Sequence, residues 1–520
     1  MKGNLVSAPE ETEPGWLGDG SWPWRPDLGD GRYRNPVLYA DYSDPDVIRV
    51  GDDYWMTASS FNCAPGLPIL HSRDLVHWRL VNHAVPEVPG ERYRSVQHGC
   101  GIWAPAIRYH AGRFWIFFPT PDEGIYLTTA EDPAGRWSEP HLVQAGRGLI
   151  DPCPFWDDDG RAYLVHAYAG SRAGIKHRLR MCPMAPDGSR LLGEGRIVFH
   201  DPERHPTLEG PKLYKRDGWY YILAPAGGVS TGWQVALRSR HIYGPYEDRI
   251  VLAQGRTPVN GPHQGALVDT PAGEWWFLHF QDAGVYGRVV HLQPARWEDG
   301  WPLMGRPGSD GVGEPVLVHP KPKLPLYEAE PQGTCDEFDG ATLARAWQWH
   351  ANPGPSWWSL RDRPGWLRLF ARPCMRRLED TPHLLLQKLP ARTFAVETWL
   401  DMPRGVGVEA GLAVVGRASA ALAVRLEADG PRLMFRNEEH SFEVGRAPRG
   451  GVRLRVRVFD GGACEFAYAG PTEPFRTIPG RFQARPGVWI GAKVGLYCSR
   501  MGEAAATGHA DFDYFRFSGG

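Results

Sequence analysis

No Cys-x-x-Cys pair occurs among the eight cysteines of this chain (Cys63, Cys100, Cys153, Cys182, Cys335, Cys374, Cys464 and Cys498), and their spacing suggests no pairing. Such usage fits the reduced thiols of a cytosolic protein better than a disulfide scaffold. An excess of one charge is missing too: 58 Lys and Arg stand against 60 Asp and Glu, a formal net charge of -2. That balance gives no electrostatic ground for nucleic acid or an anionic membrane as a partner. No apolar stretch is long enough to span a membrane, and the opening residues Met1-Lys2-Gly3-Asn4-Leu5-Val6 lack the apolar core of a secretion signal. The expectation is a soluble, cytoplasmic protein.

What the chain has is length and aromatic residues. Its 520 residues allow about two to four domains with ample apolar material for their cores. Some of the excess of 22 tryptophans belongs to strand packing, and indole is also a stacking surface for the apolar faces of sugars.

The most informative feature is a repeated phrase: a carboxylate, a nearby proline, a few apolar residues, a turn with Gly or Asp, then an aromatic strand. It reads Asp44-Pro45-Asp46-Val47-Ile48 before Gly51-Asp52-Asp53-Tyr54-Trp55, then Asp151-Pro152-Cys153-Pro154-Phe155 before Asp159-Gly160-Arg161-Ala162-Tyr163, then Glu209-Gly210-Pro211-Lys212-Leu213 before Asp217-Gly218-Trp219-Tyr220. Two further copies place Trp103 (Trp103-Ala104-Pro105) and His263 (His263-Gln264-Gly265) at the equivalent position. The spacing of roughly 50 to 60 residues is that of propeller blades and too long for helical solenoids. Runs such as Phe114-Trp115-Ile116-Phe117-Phe118 and Trp275-Trp276-Phe277-Leu278-His279 follow the turns as short antiparallel strands. In a propeller the innermost strands lie along one axis, so equivalent positions on five blades converge. A single Asp-Pro is an ordinary turn signal. Three carboxylates in register at one end of an axis are not explained by turn chemistry.

The expected fold is therefore all-β: a five-bladed β-propeller followed by a β-sandwich. We place an irregular arm at 1–34, the propeller at 35–318, a Pro- and Lys-containing linker at 319–334 and the sandwich at 335–520, the last from short alternating strands such as Val452-Arg453-Leu454-Arg455-Val456. The sandwich carries no carboxylate constellation, so support or carbohydrate contact is its expected role.

These motifs resemble glycoside hydrolase family 43 over nearly the whole chain. The resemblance rests on Ser43-Asp44-Pro45-Asp46, Ser72-Arg73-Asp74-Leu75-Val76-His77-Trp78, Trp103-Ala104-Pro105, Ile150-Asp151-Pro152, Glu209-Gly210-Pro211 and Gly261-Pro262-His263-Gln264-Gly265, with a C-terminal part similar to the concanavalin-like module of that family's β-xylosidases and α-L-arabinofuranosidases. It implies Asp44 as general base, Glu209 as general acid and Asp151 as the residue that tunes and orients the acid. Chemistry asks for such a trio independently. An inverting glycosidase needs one carboxylate to activate water and a protonated carboxyl on the other face, about 6.5 to 9.5 Å away. A second carboxylate near Glu209 helps to keep it protonated near neutral pH.

The resemblance further implies Arg288 as a substrate clamp, with an exposed strand arginine as the alternative, and Phe61 and Trp103 as pocket walls, with core packing as the alternative. His263 resembles the family's axial histidine, which in some members lies in the shell of a calcium ion or water; a buried histidine with satisfied hydrogen bonds is the other reading. No cofactor is required by the resemblance. Two departures stand out. Many β-xylosidases of the family read Phe-Glu-Trp-Phe-Pro-Gly where this chain has Phe61-Asn62-Cys63-Ala64-Pro65-Gly66, and the segment from Arg500 to His509 has no aromatic with which to close the pocket. Xyloside and arabinofuranoside are therefore left side by side. The expected activity is exo-acting, inverting release of terminal β-D-xylosyl or α-L-arabinofuranosyl units from xylo- or arabino-oligosaccharides, by a monomer or a homo-oligomer. The rival readings are a non-catalytic sugar-binding propeller and a five-bladed hydrolase directed at arabinan or fructan.

Overall fold

The computed structural model describes residues 23–325, 327, 335–438, 440–501 and 507–519. Most of the N-terminal arm, much of the segment read as a linker and the middle of the Arg500–His509 segment lie outside them. Five consecutive four-stranded antiparallel sheets come first, each in simple up-and-down order. Their first strands are Asp46–Val50, Ala106–His110, Leu149–Trp156, Lys212–Arg216 and His263–Asp269, and these pack side by side in a ring about one axis. Two seven-strand paths follow, packed face to face. One runs from Gln348–Trp349 through Lys493–Arg500 to Ser441–Arg446, the other from Trp358–Ser359 through His509–Gly519 to Arg476–Thr477. The only α-helix among the described residues is the single turn Gly170–Ala173.

The cores follow from the strand patterns. A blade is buried on both faces by its neighbours, so its middle strands are apolar on both sides, as in Ala162–Tyr168, where six of seven residues are buried. The apolar side chains then form separate wedges between blades: Val47, Met56 and Leu70 of the first against Ala266, Val268 and Leu278 of the fifth, and likewise around the ring. The sandwich has one continuous core, which Tyr39, Val285, Tyr286 and Val289 of the propeller join.

No strand is shared between the first and last blades. The ring is closed instead by residues 33–42, which run along the strand Arg288–Glu298: the Tyr33 hydroxyl donates to the Leu292 carbonyl (2.8 Å), Leu38 pairs with Val290, and the Tyr42 N–H donates to the Arg288 carbonyl (3.0 Å). Residues 43 and 44 are thereby delivered to the axis beside Arg288.

Candidate active site

At the three carboxylate copies the repeated phrase carries a left-handed residue. Asp44 and Asp151 both adopt φ of 56°, a left-handed conformation rare for non-glycine residues, and Gly210 adopts 59° one residue after Glu209. Ladder pairing with the second strand is interrupted between Ile150 and Cys153, and again between His263 and Gly265. Each kink turns a side chain off the strand toward the axis, and strain of this kind gathers at functional sites. At Gly210 a side chain has no room: a Cβ would stand 2.8 Å from Gln264 Cδ and 2.9 Å from Pro225 Cδ.

Asp44 is buried, and three donors converge on it. The hydroxyls of Ser43 and Ser59 each donate to Oδ2 at 2.6 Å, and Arg288 Nη1 lies 3.2 Å from Oδ1. The same Nη1 reaches Ser43 Oγ at 2.6 Å, and the guanidinium lies 4.7 Å above the Phe280 ring. Arg288 is thus a buried partner of Asp44, and the exposed-strand alternative is set aside.

Asp151 sits deeper than Glu209. It is 4% exposed, its Oδ2 accepts the Gly210 N–H at 2.7 Å, and the Glu209 side chain beside it keeps 30% exposure. Burial, then the Glu209 charge and the smaller influence of Asp44, push the Asp151 carboxyl well above the ordinary carboxylate range, against the opposing Gly210 N–H and Lys212. The upward shift on Asp151 comes first from its removal from water.

His263 is buried, with Nε2 3.3 Å from Glu209 Oε1 and no partner at Nδ1 among the described residues. Nδ1 faces Gly232, where a Cβ would come within 3.1 Å of it. Calcium takes about six to eight oxygen ligands. Among the described residues no three His, Cys, Asp or Glu side chains gather to hold a metal, and one imidazole nitrogen against a backbone is a poor match for so hard a cation. The structure makes His263 a neighbour of Glu209 instead of a histidine with both nitrogens satisfied.

Beneath the carboxylates, Asp46 Oδ2 accepts from the Ile107 N–H and from Arg108 Nη1, both at 2.7 Å, and Lys212 donates to the Pro105 carbonyl at 2.7 Å. These contacts, with Asp46 and Lys212 fully buried, tie the first strands of blades one, two and four together. Phe61 and Trp103 meet at the rim with ring centroids 6.4 Å apart, Phe61 only 3% exposed and Trp103 half-buried, with Arg172 5.1 Å over the indole.

The sandwich reaches this rim through a segment other than Arg500–His509. Trp489 lies 6.4 Å from Trp103 and 5.7 Å from the Arg288 guanidinium, with 48% exposure. Val488 packs on the glycine before the Trp103 loop, where a Cβ on Gly99 would stand 2.5 Å from it. Sequence reasoning missed Trp489 because it lies outside the repeat, and missed Ser59 because serine in a loop carries no signal. Ser43 and Asp46 stand inside the repeated phrase and could have been found there.

A family model described as glycosyl hydrolases family 43 matches residues 33–302, and one described as the beta xylosidase C-terminal concanavalin A-like domain matches 335–518. A putative beta-xylosidase of Xylanibacter ruminicola is 50% identical over 366 residues, 70% of this chain and 67% of that protein. A non-reducing end alpha-L-arabinofuranosidase of Bacteroides ovatus is 30% identical over 551 residues, 96% and 97% of the two chains. A crystal structure of a mutant of the family 43 protein BlXynB from Bacillus licheniformis superposes with a TM-score of 0.84 at 28% identity, covering 94% of this chain and all of that one. With the propeller, the sandwich and the converging carboxyl groups already in view, these matches settle that the chain is a glycosidase belonging to glycoside hydrolase family 43.

Proposed function

We propose that this glycosidase removes terminal β-D-xylosyl or α-L-arabinofuranosyl units from hemicellulose oligosaccharides, by single displacement with inversion. The observation that carries the reading is the asymmetry of the three carboxyl groups. Asp44 is surrounded by donors alone, while Asp151 and Glu209 lie together in a setting that favours retention of a proton.

Asp44 serves as the base. Ser43, Ser59 and Arg288 hold its orientation, and it takes a proton from the water that attacks the anomeric carbon. Glu209 is the acid. It is the exposed member of its pair, so it reaches the departing oxygen, and Asp151 stays behind it and fixes the Gly210 turn. As the glycosidic bond breaks, the Glu209 proton passes to the leaving oxygen. Water supplies the hydroxyl on the opposite face and gives its other proton to Asp44, so the step ends with Glu209 ionised and Asp44 protonated.

Phe61, Trp103 and Trp489 crowd one end of the axis, an arrangement that supports action at a chain end. The names of the relatives, one a putative beta-xylosidase and one an arabinofuranosidase, support the two sugars. The test is stereochemical. Proton NMR in the first minutes of hydrolysis of an aryl β-xyloside is expected to show α-xylose as the initial product, and initial β-xylose overturns the single displacement.

A further inference from the structure

Asp41 takes no part in the chemistry just described, yet it stands where three parts of the molecule meet. It is 5% exposed, and each of its acceptor atoms is used by a different segment. Oδ1 accepts the Arg288 N–H of blade five at 2.9 Å, Oδ2 accepts the Gly491 N–H of the sandwich at 2.9 Å, and its carbonyl accepts from Lys388 Nζ of the sandwich at 2.8 Å. Two buried backbone N–H groups from two domains therefore converge on one carboxylate. Each is costly to leave without an acceptor, and Asp, with two equivalent oxygens, satisfies both where Asn satisfies only one.

The surrounding backbone is shaped to that carboxylate. A Cβ on Gly287 would stand 2.4 Å from Asp41 Cγ, and a Cβ on Gly491 would stand 2.7 Å from Gly287 N and from the Tyr286 carbonyl carbon. The Ala492 N–H donates to the Val285 carbonyl at 2.8 Å, a second tie between the sandwich loop and blade five. Two residues before Gly491 is Trp489, itself at φ of 66°. Arg288 is held from both sides: its N–H by Asp41, its carbonyl by the Tyr42 N–H. Three residues beyond Asp41 is Asp44. One short segment thus fixes the base, the arginine that orients it and the loop that brings Trp489 to the rim.

We infer that Asp41 is a positioning residue for saccharide binding, whose buried carboxylate latches the Trp489 loop of the sandwich to the Arg288 strand so that Trp489 offers its exposed face to the sugar at the pocket mouth. An indole face is suited to the apolar face of a pyranose or furanose ring, and a stacking partner displaced by about 1 Å loses much of its effect on a bound substrate. The inference deepens the proposed function and rests on its assignment of Asp44 and Glu209.

The test is steady-state kinetics of the full-length protein on xylobiose, with circular dichroism to verify folding. Asp41→Asn keeps one acceptor oxygen for the Arg288 N–H and is expected to raise KM by about tenfold with a smaller loss in kcat, a defect mainly of binding. Trp489→Ala is expected to raise KM comparably, Trp489→Phe to recover most of it, and Asp41→Asn/Trp489→Ala to be no worse than Trp489→Ala alone, because two residues acting through one contact are not additive. Gly491→Ala, which keeps Asp41 but drives the loop off blade five, is expected to give the same KM defect and serves if Asp41→Asn does not fold. Overturning results are KM values within about twofold of wild type for the Asp41 or Gly491 variant, or a double variant whose defect is the product of the single ones. Asp44→Ala is run alongside: retained turnover there defeats the assignment of the base, whereas a dead Asp44→Ala with wild-type-like Asp41→Asn defeats only the latch.

Discussion

In the role proposed for it, Asp151 would weaken the fold in order to serve the site. Its carboxyl keeps a proton in the native state to higher pH than in the unfolded chain, because burial and the Glu209 charge disfavour ionisation. Above the ordinary aspartate range the native state therefore binds more protons than the unfolded state, and stability falls as pH rises through that window. Asparagine in its place keeps an acceptor for the Gly210 N–H and removes the titration. Asp151→Asn is expected to gain in melting temperature over wild type as pH is raised from about 4 to about 8, while losing about tenfold or more in turnover at every pH. Thermal melts across that range check it. A difference independent of pH shows that Asp151 is not the group carrying the burial cost.

At the scale of the element, the site depends on the turns that enter the innermost strands. Gly210 and Gly218 flank the strand Lys212–Arg216, and both have positive φ, 59° and 72°. Alanine at either position meets the left-handed strain, about 1 kcal/mol. The consequences for activity separate them. At Gly210 the added Cβ meets Gln264 and Pro225, whereas at Gly218 it meets only the end of the Arg240 side chain at 3.0 Å. Gly210→Ala is expected to displace the N–H that Asp151 accepts, and so to cost about 1–3 kcal/mol of stability and at least about tenfold in kcat. Gly218→Ala should cost only stability. Chemical denaturation and turnover measured on both variants decide it, and equal turnover in the two removes the Gly210 turn from the positioning of the acid.

For the whole molecule, the propeller and sandwich are joined like halves of one core. Ala64 and Trp349 exchange backbone hydrogen bonds of 3.0 and 2.6 Å, Asn352 exchanges two of 2.8 Å with the Val88 backbone, and Asn62 donates to the His350 carbonyl at 2.7 Å. Tyr39, Val285, Tyr286 and Val289 are buried within the sandwich core. Separating the two would expose that apolar surface and strand those buried amides. Calorimetry of the full chain is expected to give a single cooperative transition, and a polypeptide ending at Pro325 is expected to melt lower and to lose binding at the Trp489 rim. Two resolved transitions in the full chain would show that the interface does not couple them.

The five-fold repeat, the strand-rich fold class and the positions of Asp44, Asp151 and Glu209 were legible in the residues, because a propeller is built from local units. The period of the phrase sets the blade, and equivalence within the phrase sets which residues share the axis. His263 and Trp103 came with them for the same reason, as did Arg288 through its resemblance. What the tertiary structure alone decided is everything that joins units without a period: the closing segment 33–42 on blade five, the Ser59 hydroxyl on Asp44, Asp41 between two domains, and Trp489 at the rim. Those contacts depend on how two finished surfaces fit, which side chains hundreds of residues apart determine together and no local pattern records.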